Sequence, residues 1–240
     1  MADKQLGLPK QQSWVWNLTQ LDWWIGLLFM IGAAFFALGC VLYLGGVTHE
    51  FTMDAVFFTG SIFFTGAAYC QFHQAINAEP ARRRWLDWQP RSITYWATLS
   101  QFIGTLLFNM NTFDAFFDLG WITRDVLVWG PDIFGSVLFQ ISGGLAMYEI
   151  CRRWWCWDFH SLAWWINFIN FLGCVAFLMS AVLVFVAPHP TSDLLATWST
   201  VFTLIGACCF FIGAFLMWPE VALKQAKLSS RGCCRMALSR

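Results

Sequence analysis

Six long apolar stretches organise the chain, at approximately 23–46, 53–76, 93–117, 126–149, 162–187 and 194–218, with charged residues crowded between them. Each meets or exceeds the ~20 residues that cross a ~30 Å hydrocarbon core at about 1.5 Å per residue. Within lipid only helices or closed barrels satisfy the backbone polar groups, and runs this long and uniformly apolar are helices. The pattern predicts an all-α integral membrane protein with six transmembrane helices. The first 22 residues are polar and dotted with tryptophan, and the apolar run that follows is too long for a signal-peptide core, so it is read as a span.

A finer pattern lies inside the stretches. Each has a glycine (Gly32, Gly60, Gly104, Gly135, Gly173, Gly206) followed four positions later by a phenylalanine (Phe36, Phe64, Phe108, Phe139, Phe177, Phe210). Seven positions after each glycine stands a small or short polar residue: Gly39, Ala67, Asn111, Ser142, Ser180 or Gly213. Positions i, i+4 and i+7 share one face of a helix, so every span carries a stripe of small, Phe, small. Small residues let backbones approach closely in lipid, where packing drives association. The expectation is that the six glycines are helix-packing positions and that each Phe fills the hollow left by a neighbour's Gly.

The spacing from Gly32 to Gly104 is 72 residues and from Gly104 to Gly173 is 69, while the even spans give 75 and 71. The unit is therefore read as a two-helix hairpin of about 70 residues used three times (about 23–78, 93–151 and 162–218). An even number of helices per unit keeps the copies in one orientation, so the repeats are parallel rather than inverted. Segments 1–22 and 219–240 flank the six-helix domain, the second as a basic tail.

Composition agrees with this reading. Residues of the apolar set make up 58% of the 240 and charged residues only 12%, against about 25% charged in soluble domains. The net charge is zero, so neither a nucleic-acid partner nor strong binding to an anionic membrane surface follows from it, and the expected surroundings of the apolar spans are membrane lipids. Thirteen of the fourteen Lys and Arg residues lie before span one, between spans two and three, after span four or after span six, and Arg124 alone lies on the opposite side. Basic loops this short stay in the cytoplasm, so both termini are expected inside, in a plasma (inner) membrane. Trp23, Trp24, Trp85, Trp88, Trp154, Trp155, Trp157, Trp164, Trp165 and Trp218 gather on the same side and read as an interfacial belt. The outer loops contain none of the nine cysteines, which fits a set of reduced thiols. Cys151, Cys156 and His160 lack the paired spacing of a zinc site. Cys233 and Cys234, near basic residues, read as unmodified thiols, with palmitoylation as the alternative.

Paired helices bearing a Gly-Ser-x-x-Phe core, kept in full at Gly60-Ser61 and Gly135-Ser136, resemble the YrhK-like domain of small bacterial membrane proteins. A larger part of the chain, most of residues 20–220, is similar to six-helix bacterial membrane proteins related to that domain. The similar segments are Trp88-Gln89-Pro90-Arg91, Gln101-Phe102-Ile103-Gly104-Thr105 continuing to Phe108-Asn109, and Val128-Trp129-Gly130-Pro131-Asp132. The resemblance implies the fold and carries over no functional residue.

Polar groups inside spans are functional candidates by default. Gln101 and Asn170 each lie three residues before the stripe glycine, Asn111 and Ser180 continue those faces, and Asn167 lies one turn before Asn170. This seam reads as interhelical hydrogen-bond glue worth about 0.6 kcal/mol per bond, with a solute path as the alternative. Glu149 and Glu220, fourteen residues after their glycines, are read as interfacial groups pairing with Arg152, Arg153 or Lys224, or else as an inner vestibule. Asp132 follows Gly130-Pro131 and reads as a helix start. No nucleophile is paired with a base and no cofactor motif is present, so a non-enzymatic structural or partner-binding membrane module is expected, with a small-solute or ion permease as the alternative.

Overall fold

The computed structural model describes residues 20–47, 49–78, 84–185 and 193–238, and side chains are described throughout these except at Trp121, Phe185 and Gln225 and from Lys227 onward. The basic residues Lys4, Lys10, Arg82 and Arg83 and the thiols of Cys233 and Cys234 lie outside the described residues or side chains. All regular structure among the described residues is helical: α1 (Leu21–Leu44), α2 (Glu50–Ile76), α3 (Ile93–Asp114), the single turn α4 (Trp121–Arg124), α5 (Gly130–Cys151), α6 (Leu162–Phe185) and α7 (Asp193–Leu238). A π-helical turn, Asp125–Trp129, joins α4 to α5.

Five helical stretches are long and apolar enough to cross a membrane: Leu21–Leu44, Glu50–Ile76, Ile122–Cys151, Leu162–Val184 and Asp193–Lys224. The sixth expected span, α3, has the length at 22 residues but is more polar, because it carries Thr94, Thr98, Ser100, Gln101, Thr105, Asn109, Asn111 and Thr112. Most of those groups find partners without water, although Asn109 Oδ1 is buried and accepts no hydrogen bond from the described residues. Thr98, Thr105 and Thr112 donate to carbonyls of their own helix, Thr112 also meets Ser61 of α2 at 3.0 Å, and the Asn109 amide donates to Thr65 at 2.8 Å. Between α2 and α5, α3 is thereby shielded in a way its composition does not announce.

Each long helix packs on two others in the order α1, α2, α3, α5, α6, α7 and back to α1, so the six close into a ring. The closure is visible at one end, where Trp23 and Trp218 stack with centroids 5.3 Å apart and the Trp218 indole donates to the Trp23 carbonyl at 3.2 Å. Trp23 and Trp164 were read as interfacial, yet both are buried, Trp164 with 0% exposure. The Trp164 indole donates to the Cys156 carbonyl at 3.0 Å and its ring stacks on Phe168, so it packs on protein rather than facing outward. Trp24, Trp85, Trp88, Trp154, Trp155, Trp157 and Trp165 remain exposed.

Three local features add to this picture. Asp132 stands in the first turn of α5, with Pro131 at its start, as the sequence reading has it; the helix is preceded without a break by Trp121–Arg124 and the π turn, and Gly130 donates to the Asp125 carbonyl, five residues back. Pro131 lacks an N–H and crowds the preceding turn, and the wider π turn absorbs that defect. Segment 219–240, read as a basic tail beyond the last span, continues α7, which runs through Pro219 to Leu238 with Glu220 and Lys224 paired at 2.8 Å one turn apart. Cys151 and Cys156 are joined in a disulfide, against the expectation of reduced thiols. α5 ends there with Arg152 in the left-handed conformation (φ 55°), and the turn back brings the two cysteines together.

Candidate functional site

The stripe glycines meet in pairs. A Cβ built on Gly32 would lie 3.0 Å from the Gly60 carbonyl oxygen, and the reverse distance is the same; Gly104 and Gly135 oppose each other at 3.1 Å in both directions, and Gly206 stands 3.2 Å from the Gly173 oxygen. The pairs are thus α1 with α2, α3 with α5, and α6 with α7. Each glycine also faces its partner helix's phenylalanine: Gly32 meets Phe64, Gly60 meets Phe36, Gly104 meets Phe139, Gly135 meets Phe108, Gly173 meets Phe210 and Gly206 meets Phe177, at 2.7 to 3.6 Å from the same built position. The absent side chains make the room that the rings occupy.

The same six rings converge at the middle of the helix ring. Phe36 contacts Phe64 and Phe177, Phe108 contacts Phe139, and Phe210 contacts Phe64, Phe139 and Phe177, all with centroids within 6.0 Å. Most pairs are edge-to-face or tilted, the arrangement that aromatic quadrupoles prefer. Only a gap of about 10 Å³ remains among Phe36, Ser61, Phe64, Phe108, Phe139 and Phe177.

A polar cavity lies on each side of this plug. The first, about 60 Å³, is at the end where α3 and α6 begin and is lined by Phe29, Gln71, Gln101, Ser142, Asn167, Asn170 and Cys174 among others. The second, about 220 Å³, is at the other end and is lined by Asp54, Phe57, Asn111, Thr112, Asp132, Ser180, Ser199 and Thr203 among others. All six long helices contribute to both. The seam is therefore divided: Gln101, Asn167 and Asn170 share the first cavity and Asn111 sits in the second. Glu149 and Glu220 line neither, since Glu149 accepts from Thr94 at 2.6 Å and Glu220 holds Lys224.

Only part of the seam acts as glue. Ser142 donates to Gln101 Oε1 at 3.3 Å across α5 and α3, while the Asn167 amide donates to the Ala163 carbonyl of its own helix. Gln71 Oε1 and Asn170 Oδ1 are buried and accept no hydrogen bond from the described residues, a condition that costs about 1–3 kcal/mol for each group left so. Asn170 fits because Gly213 has no side chain where its carboxamide lies. In the second cavity the Asn111 amide hydrogen-bonds the Asp132 carboxyl. Ser180 bridges to both Ser199 and Thr203, at 2.8 and 2.7 Å, and ties α6 to α7.

Gln71, Asp54, Asp132, Ser199 and Thr203 were not read as members of a shared site, although a signal existed for most. The positions three before the six glycines are Phe29, Phe57, Gln101, Asp132, Asn170 and Thr203, and every one lines a cavity. Gln71 is eleven after Gly60, one turn further along the same face. Long apolar helices, closed into a ring with an apolar exterior, define a multi-pass membrane protein. No protein-family model, curated protein or solved structure matches the chain.

Proposed function

We propose that this protein is a conduit for a small polar solute or ion across the membrane, closed in the present conformation by the phenylalanine plug. The observation that carries the reading is the plug itself, with a polar cavity on either side and all six helices lining both. Apolar constrictions of this kind close a path by excluding water, and they open when the rings move apart. The cavities, at about 60 and 220 Å³, fall below the ~300–1,000 Å³ of sites for drug-sized ligands, so the solute is small. In this reading α3 is the sixth span, the three glycine-paired hairpins are copies of one parallel unit, and the basic face is cytoplasmic. Those assignments rest on the glycine spacing and on the charge distribution. The resemblance to YrhK-like membrane proteins agrees with the helix count and adds no activity.

Removing a ring tests the proposal. Phe64→Ala and Phe177→Ala, each purified to a monodisperse state and placed in liposomes, are expected to raise the flux of small polar probes by at least tenfold over the unaltered protein. The competing reading, a structural or partner-binding module, is favoured by the glycine contacts and the filled centre. Folded variants of both phenylalanines that leave the liposomes as tight as before would establish that reading and dismiss the conduit.

A further inference from the structure

The basic-side cavity has a chemistry that narrows the solute, given the conduit reading on which this inference rests. Three carboxamide side chains line it, from three different hairpins: Gln71 on α2, Gln101 on α3 and Asn170 on α6. The Ser142 hydroxyl donates to Gln101 Oε1 and the Asn167 amide donates to the Ala163 carbonyl. Among the described residues lining this cavity, the buried polar side-chain atoms without a hydrogen-bond partner are both oxygens, on Gln71 and Asn170. Among the described residues no Lys, Arg or His lines either cavity, whereas Asp54 and Asp132 line the opposite one. Arg124 is within electrostatic reach of Asp54, and Asp132 has the Asn111 amide as its partner.

We infer that the basic-side cavity is a binding site for one small monovalent cation, coordinated by the side-chain oxygens of Gln71, Gln101 and Asn170. Neutral oxygens arranged around a small space replace a hydration shell in the way that carbonyl rings do in cation-selective filters. The cavity has no carboxylate, and a divalent ion, which calls for carboxylate ligands, is disfavoured. Its volume of about 60 Å³ takes one such ion with a water or two. On the far side, Asp54 and Asp132 line the larger cavity, where an ionised carboxyl would favour cations over anions before they meet the plug.

The test uses Phe64→Ala, because that ring lines neither cavity, with tracer Rb⁺, chloride and glycerol as probes in liposomes containing the full chain. Rb⁺ is expected to pass at least tenfold faster than chloride or glycerol, and Asn170→Leu in the same protein is expected to cut Rb⁺ flux by tenfold or more. Should Asn170→Leu not fold, Gln71→Leu on a different hairpin carries the same expectation. Chloride or glycerol passing as readily as Rb⁺ would overturn the cation assignment and leave the conduit standing. Rb⁺ flux indifferent to Asn170→Leu and Gln71→Leu would do so too, and would make the site one for water. If no probe passes with Phe64→Ala or with Phe177→Ala, the conduit itself falls and the ion site with it.

Discussion

A methyl group added at Gly32 would stand 2.7 Å from the Phe64 ring and 3.0 Å from the Gly60 carbonyl oxygen, whereas one added at Gly144 would meet nothing within 4 Å. The two glycines are alike to any propensity scale and differ only in what their helices face. Gly32→Ala and Gly104→Ala should each lose about 1–3 kcal/mol, since a backbone carbonyl cannot move aside as a side chain can. Gly144→Ala should be neutral or gain up to ~1 kcal/mol from helix propensity. Melting midpoints in one detergent will check this, and equal shifts for the three substitutions would remove the argument. The close-packing glycines were legible in the sequence because their rule is local: a spacing of four and seven repeats whatever the neighbour is. The cavity residues were less so. Whether Gln71 or Gln74 points inward depends on how α2 is rotated between α1 and α3, which no single helix records; Gln74 in fact donates to Asp22 at 2.5 Å, outside both cavities.

At the scale of elements, the end of α5 departs furthest from what its sequence suggests. The Cys151–Cys156 disulfide closes a five-residue separation beside the left-handed Arg152, on the face that carries the basic loops. A cytoplasmic compartment keeps thiols reduced, so on the proposed orientation the pair is expected as the dithiol in the cell and as the disulfide once oxygen oxidises it. Cells lysed directly into a membrane-permeant maleimide are expected to yield Cys151 and Cys156 alkylated, and protein exposed to air is expected to yield them joined. A pair already unreactive at the moment of lysis would place this face in an oxidising compartment and reverse the orientation. Nothing in the spacing of two cysteines five residues apart foretold contact, because it is the turn after α5 that brings them together. The boundaries of α1, α2 and α6, by contrast, followed from apolarity to within a few residues, since no proline or special turn intrudes on them.

Over the whole molecule, the ring depends on one junction between elements nearly two hundred residues apart. α1 meets α7 through the stacked Trp23 and Trp218 and the indole bond between them. An aromatic pair adds about 0.5–1.5 kcal/mol beyond burial, and the hydrogen bond about 1 more. Trp218→Ala should therefore lower the melting midpoint clearly, while Trp88→Ala, at 67% exposure, should change it little. Comparable shifts would mean that the junction holds the ring no more than a surface tryptophan does. Closure of this kind was beyond the sequence reading, which paired helices by hairpin and had no information on which hairpins become neighbours.

The phenylalanines carry a consequence for how such a protein can change over generations. Each ring both seats against a glycine of its hairpin partner and fills the centre, so on the conduit reading tightness against leakage and the fit between helices fall to the same codons. A lineage shifting to a different solute has little freedom there. Its variation is expected to accumulate three positions upstream of the glycines, where Gln101, Asp132 and Asn170 stand and where a new side chain alters what is admitted without loosening the assembly.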